Sequence, residues 1–125
     1  EGFDPAKITN ATVYDNTANY YLVNYWTEEH YNIGHIAGAI QYTPGTSWKL
    51  DTDLKTLPTD KTIVVYCYTG QTSAYVTAYL KVMGYDAKSL LYGANGMIYD
   101  VLVTNAMTFF SDTQVHDFTY VVTTK

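Results

Sequence analysis

The apolar positions of this chain fall into short blocks separated by turn residues, and the blocks do not share one period. The clearest is Thr62-Ile63-Val64-Val65-Tyr66, apolar from Ile63 onward without alternation. That is the pattern of a parallel strand covered on both faces. Tyr20 to Tyr25 is β-branched and aromatic without a breaker, and predicts a second strand. Shorter strands are expected over Ala39 to Tyr42, stopped by Pro44-Gly45, and over Lys88 to Tyr92. Between Ser73 and Met83 the period changes. Val76, Leu80 and Met83 recur at helical spacing, with Thr72 or Ser73 as the expected cap and Gly84 as the stop. Other short helices are expected at Asn10 to Tyr14, capped by Thr9 or Asn10, and after Thr27 through Glu28-Glu29-His30-Tyr31, ended by Gly34. Residues 46–60 read as a polar connection with one helical turn near Leu50 to Leu57. Gly93 to Gly96 is a turn, and Met97 to Thr104 an amphipathic helix. Residues 1–19 are otherwise polar and turn-rich, and Phe118, Tyr120 and Val122 suggest a late edge strand or a wrapped tail. Strands alternating with helices across short connections predict an α/β fold with a mainly parallel sheet.

Composition narrows the function more than the fold. The 125 residues fit one domain, 47% of them are hydrophobic and 15% charged, which argues against disorder. No window approaches the length of apolar sequence that a membrane span needs. The net charge is −5, with 7 lysines and no arginine. A nucleic-acid partner would need a basic patch, and a phosphate clamp usually draws on arginine. An anionic group would have to be held by backbone N–H groups. A surface drawn from Thr, Asn and Tyr rather than Lys, Glu and Arg suggests an exported, periplasmic protein more than a cytoplasmic one. Cys67 is the single cysteine, so an internal disulfide, a CxxC pair and a cysteine-rich zinc site are excluded. No pair of histidines has metal-ligand spacing, and no cofactor is expected.

Cys67 stands where the buried strand ends, and ligands of open α/β sheets bind outside the carboxyl ends of the strands. The loop Cys67-Tyr68-Thr69-Gly70-Gln71-Thr72 contains no proline, so every N–H is available as a donor. Converging N–H groups and the start of the following helix would make an anion cradle around the sulfur. A thiolate is the nucleophilic form of cysteine, and such a cradle favours it.

Three segments, in order, resemble the rhodanese-type sulfurtransferases: Glu29-His30-Tyr31-Asn32-Ile33-Gly34-His35-Ile36-Ala37-Gly38-Ala39-Ile40, the loop Cys67 to Ser73, and Met83-Gly84-Tyr85-Asp86 with Tyr92-Gly93-Ala94-Asn95-Gly96. The resemblance covers about residues 8–103 and leaves 104–125 as an extension. It implies a single domain with a five-stranded parallel sheet flanked by helices. It also implies a cysteine, here Cys67, that carries sulfane sulfur as a persulfide from a small sulfur donor to a thiol, cyanide-like or protein acceptor. The substrate-binding residues implied are Tyr68, Thr69, Gly70, Gln71, Thr72 and Ser73; Trp26 is read as a candidate for the mouth of the pocket, with packing as its alternative. The family usually carries Asp-x-Arg after the early strand, where this chain has Asn24-Tyr25-Trp26, and many thiosulfate users have a basic loop residue that is absent here.

Tyr42 is a further candidate for the pocket mouth. His35 is expected to bond backbone at a turn, and His30 and His116 to lie on the surface. Glu28 and Glu29 read as helix-start charges. A low-turnover module that only binds or senses a sulfur species or a protein partner is the main alternative to an enzyme. A cysteine-loop phosphatase needs Cys-x5-Arg, and Ser73 stands at the arginine's position.

Overall fold

The computed structural model describes residues 6–111. His116 and the strand expected at Phe118, Tyr120 and Val122 lie outside the described residues. Five strands form one sheet, and every pairing in it is parallel. They are β1 (Lys7–Ile8), β2 (Tyr21–Asn24), β3 (Ile40–Gln41), β4 (Ile63–Tyr66) and β5 (Ala87–Leu90), in the order β1-β5-β4-β2-β3. The helices are α1 (Asn10–Tyr14), α2 (Glu28–Ile33), α3 (Gln71–Val82) and α4 (Tyr99–Thr104).

The uninterrupted apolar run of β4 follows from its central place. All four of its residues are buried, and side chains of a strand alternate between faces. Val64 and Tyr66 join Leu22, Leu90, Val13 of α1 and Leu102 of α4 in one core. Ile63 and Val65 join Val23, Ala87, and Val76 and Leu80 of α3 in the other.

Chain order reverses between β2 and β4. From β2 the chain passes outward to β3, and from β4 it passes the other way to β5. Strand order that reverses in this way opens a crevice at the carboxyl ends. The residues that leave β2 and β4 into that crevice are Tyr25-Trp26 and Cys67-Tyr68.

Several elements differ from the sequence-based expectation. Helix α3 begins at Gln71, not Ser73, with Gly70 as its N-cap at φ +94°. Thr72 and Ser73 therefore lie inside its first turn and do not cap it. Met83 is 41% exposed because the helical bonds end at Val82 and the last buried position is Leu80. The expected turn within Leu50 to Leu57 is a 3-10 turn at Asp53–Thr56, and α4 starts at Tyr99 rather than Met97. Strand β1 lies in a segment that reads as polar, because two residues paired to β5 are too short to show a period.

Behind the crevice, the Tyr66 hydroxyl accepts from the Ile36 N–H at 3.1 Å and from the Asn24 side-chain amide at 2.9 Å. Burial pushes the Tyr66 phenol up to about 12, with both donors pulling the other way. Burial also raises Tyr42. A phenol raised on folding contributes stability that is complete below its ordinary value, ~10, and is lost as pH climbs through the folded value. Tyr66→Phe should leave two buried donors unpaired and cost about 2 kcal/mol at neutral pH. Melts between neutral pH and pH ~11.5 should show the native chain losing stability above pH ~10 more steeply than the variant. Parallel curves would contradict the buried-phenol account.

Candidate active site

A helix leaves its first N–H groups without intrahelical acceptors, and a side chain at the N-cap usually takes one of them. Gly70 at the N-cap of α3 has no side chain to offer. The sulfur of Cys67 fills the role from three residues upstream. Sγ accepts from the Gly70 N–H at 3.3 Å and the Ser73 N–H at 3.4 Å. The Ser73 hydroxyl stands 3.7 Å from Sγ, donates to the Gly70 carbonyl at 3.1 Å, and lies 2.8 Å from the Ser89 hydroxyl. Cys67 is 4% exposed.

The loop is clamped from below by the turn after β5. Ala94 N–H donates to the Cys67 carbonyl at 2.9 Å. Asn95 donates twice to the Tyr68 carbonyl, from its N–H at 3.2 Å and from Nδ2 at 2.7 Å. Its Oδ1 accepts from the Phe110 N–H at 2.8 Å. Gly93 permits this approach. A Cβ there would meet the Cys67 carbonyl at 2.4 Å, and Gly70 N and the Tyr68 carbonyl at 2.8 Å.

Aromatic groups line the side facing β2. The ring of Tyr68 stacks on Trp26 with centroids 4.6 Å apart and planes at 8°. Its hydroxyl is hydrogen-bonded to Nδ1 of His30. Burial, and then the neighbouring Cys67, push the Tyr68 phenol up. Thr69, Gly70 and Gln71 border a pocket of about 590 Å³ that also takes in Lys7 and Tyr92. Thr72 borders a groove of about 730 Å³ on the other flank, walled by Tyr25, Trp48, Tyr75 and Tyr79.

The candidates from sequence divide accordingly. Gly70 and Ser73 meet the sulfur directly, and Tyr68 stands beside it. Thr69, Gln71 and Thr72 face the flanking depressions. Trp26 is 1% exposed and does not open onto solvent. It packs between Tyr66 and Tyr68, because the crevice narrows around two large rings. Tyr42 is also buried, bonded to Tyr21 and Thr56 at 2.9 Å each, and is no part of the mouth. His35 bonds the Tyr31 carbonyl through Nδ1 at 2.9 Å, a structural contact as expected. His30 is half-buried against Tyr68, not on the open surface. Sequence reasoning missed this pairing, as it missed Asn95 and Ser89. Asn95 lay inside a matched segment, but nothing in its local pattern marks a clamp. Among the described residues, no group of three or more His, Cys, Asp or Glu gathers to hold a metal.

A parallel five-stranded sheet with a cysteine at the switch point, its sulfur held by the first turn of the next helix, defines a cysteine-loop α/β domain. The rhodanese-like domain family matches residues 10–97, and the chain belongs to it. Solved structures agree in fold. A rhodanese-related protein from Thermoplasma volcanium is 24% identical, with 75% of this chain and 91% of that one covered and a TM-score of 0.67. A rhodanese-like domain protein from Staphylococcus aureus is 22% identical, covering 72% of this chain and 88% of that one, with a TM-score of 0.63. An NAD-dependent persulfide reductase from A. fulgidus is 26% identical over 66% of this chain, which spans 14% of that chain, with a TM-score of 0.52. No curated protein sequence matches this chain.

Two substitutions should separate the clamp from the loop hinge. Gly70→Ala meets ordinary-to-tight contacts, with Tyr92 N nearest at 3.3 Å, and carries mainly the strain of its positive φ, on the order of 1–3 kcal/mol. Gly93→Ala adds a backbone collision to similar strain. It should lower the melting temperature further and slow alkylation of Cys67 more. Equal losses would mean the turn does not hold the loop. Trp26→Arg should bury an unpaired guanidinium and cost ~3 kcal/mol or more. Its melting temperature should drop, with no better KM for thiosulfate. An unchanged melt with a salt-sensitive fall in KM would instead place position 26 at an open mouth.

Proposed function

We propose that this protein is a sulfurtransferase in which Cys67 carries a sulfane sulfur as a persulfide. The observation that carries the reading is the sulfur held by the Gly70 and Ser73 N–H groups at the start of α3. Those donors favour a negative sulfur without a basic side chain. In the first half-reaction the Cys67 thiolate attacks the outer sulfur of a donor. With a donor persulfide, the donor's S–S bond breaks, its thiolate leaves, and Cys67 becomes a persulfide anion. In the second, an acceptor thiolate attacks the outer sulfur, takes it, and returns Cys67 as thiolate. Both halves conserve charge and need no oxidant. The N–H groups of Gln71 and Thr72 have no acceptor inside the helix by construction, which leaves donors for the second sulfur. Covalent carriage of this kind gives ping-pong kinetics.

Organic persulfides and polysulfide fit this site better than thiosulfate. The chain has no arginine, and Trp26 is packed where the family usually has one. That same feature favours a second reading, a module that gains sulfur without turning it over. The persulfide reductase among the structural neighbours supports persulfide handling as the common chemistry.

The test is intact mass after polysulfide, followed by cyanide. The native protein should gain the mass of one sulfur atom and then release thiocyanate over repeated cycles. Gain without repeated release would favour the binding module, and no gain would defeat both readings. Cys67→Ser should fold, because a hydroxyl can also accept from the helix start, yet take up no sulfur. A serine hydroxyl is not ionised at neutral pH and forms no persulfide.

A further inference from the structure

Sulfur carriage as described uses Cys67 and the N–H groups behind it, and leaves His30 without a task. Yet α2 delivers that ring to the residue next to the nucleophile. The His30 N–H donates to the Thr27 hydroxyl at 3.4 Å in the N-cap of α2, which fixes where the side chain starts. Its Nδ1 is hydrogen-bonded to the Tyr68 hydroxyl, and the two rings meet edge to face at 5.7 Å and 83°. On its other side Tyr68 lies flat on Trp26. Its carbonyl takes the two donors of Asn95. Tyr68 is therefore held at its ring, its hydroxyl and its main chain.

The consequence lies one residue either side. Tyr68 joins Cys67 to the Thr69-Gly70 turn, and Gly70 at φ +94° sits in a region that glycine enters at little cost. The bonds from Gly70 and Ser73 to the sulfur, 3.3 and 3.4 Å, both depend on the path of that loop. Hydrogen bonds weaken steeply with distance and misalignment. A small swing of Tyr68 would thus be felt at the sulfur before it was felt in the core.

We propose, on the reading that Cys67 carries sulfur, that His30 is a positioning residue for the transfer. By bonding the Tyr68 hydroxyl it holds the Cys67–Gly70 segment so that the loop aims its N–H groups at the sulfur. The position lies 38 residues from Tyr68 in sequence, and it reaches the site through that tyrosine.

The experiment measures alkylation of Cys67 by iodoacetamide at fixed neutral pH, with a melting curve beside each rate, in the full chain. The variants are His30→Ala, Tyr68→Phe, the two combined, and His30→Asn. Alanine and phenylalanine each remove the same bond, so each should slow alkylation about fivefold, the worth of one hydrogen bond. The combined variant should be no slower than either alone, because partners in one bond are not additive. Asparagine presents an amide at the reach of Nδ1, and should restore the rate to within about twofold of native. Tyr68→Phe keeps the stack on Trp26, so the proposal stays testable if His30→Ala folds poorly. Unchanged rates, additive losses, or failure of His30→Asn to rescue would each overturn it. Alkylation does not require sulfur carriage. A chain that takes up no sulfur but shows this series would defeat the proposed function and keep the positioning. A chain that transfers sulfur with a flat series would do the reverse.

Discussion

Helix α3 begins without a capping side chain, and the sulfur of Cys67 supplies what is missing. That single contact joins fold to chemistry. The first turn of a helix carries N–H groups that need an acceptor, and a thiolate needs donors where no cation stands. Gly70 and Ser73 meet both needs at once. On the proposed function these donors would favour a negative sulfur with no arginine, and the chain contains none.

The surroundings keep that contact in register. Above it, the reversal of strand order between β2 and β4 provides the crevice. Below it, Gly93 lets the turn after β5 close onto the loop, and Ala94 and Asn95 hold the two carbonyls that follow the strand. To the side, Trp26, Tyr68 and His30 fill the space with rings. Ser73 and Ser89 pair their hydroxyls beneath the sulfur. If Cys67 is the nucleophile, as proposed, its apolar and neutral polar surroundings suit a substrate that sheds its water easily. Thiosulfate, a dianion, would meet N–H dipoles there and no side-chain cation within the loop.

Much of this was readable from the chain because the relevant signals are local. The unbroken apolar run of Ile63 to Tyr66 marks a strand covered on both faces, and Cys67 directly follows it. Helical spacing after Ser73 marks α3, and Gly84 marks its end. What could not be read depends on contacts distant in sequence. Sequence points to Thr72 or Ser73 as the helix cap because capping patterns are written for hydroxyls and carboxylates next to the helix, not for a sulfur three residues before the N-cap. Trp26 reads from the sequence as either a mouth or a packing residue, because its burial depends on Tyr66 and Tyr68, forty residues downstream or more. His30 carried no pattern at all, since its partner is Tyr68.

The first-turn amides of α3 report the contact with the sulfur most directly. Nitrogen–proton correlation spectra of the protein, recorded before and after one sulfur atom is added from polysulfide, would read them individually. The Gly70 and Ser73 amides should move most as their acceptor changes, joined by Gln71 and Thr72 as they donate hydrogen bonds to the outer sulfur, while the strands stay in place. A spectrum in which sulfur is added and those four amides do not move would contradict a helix start that holds the persulfide.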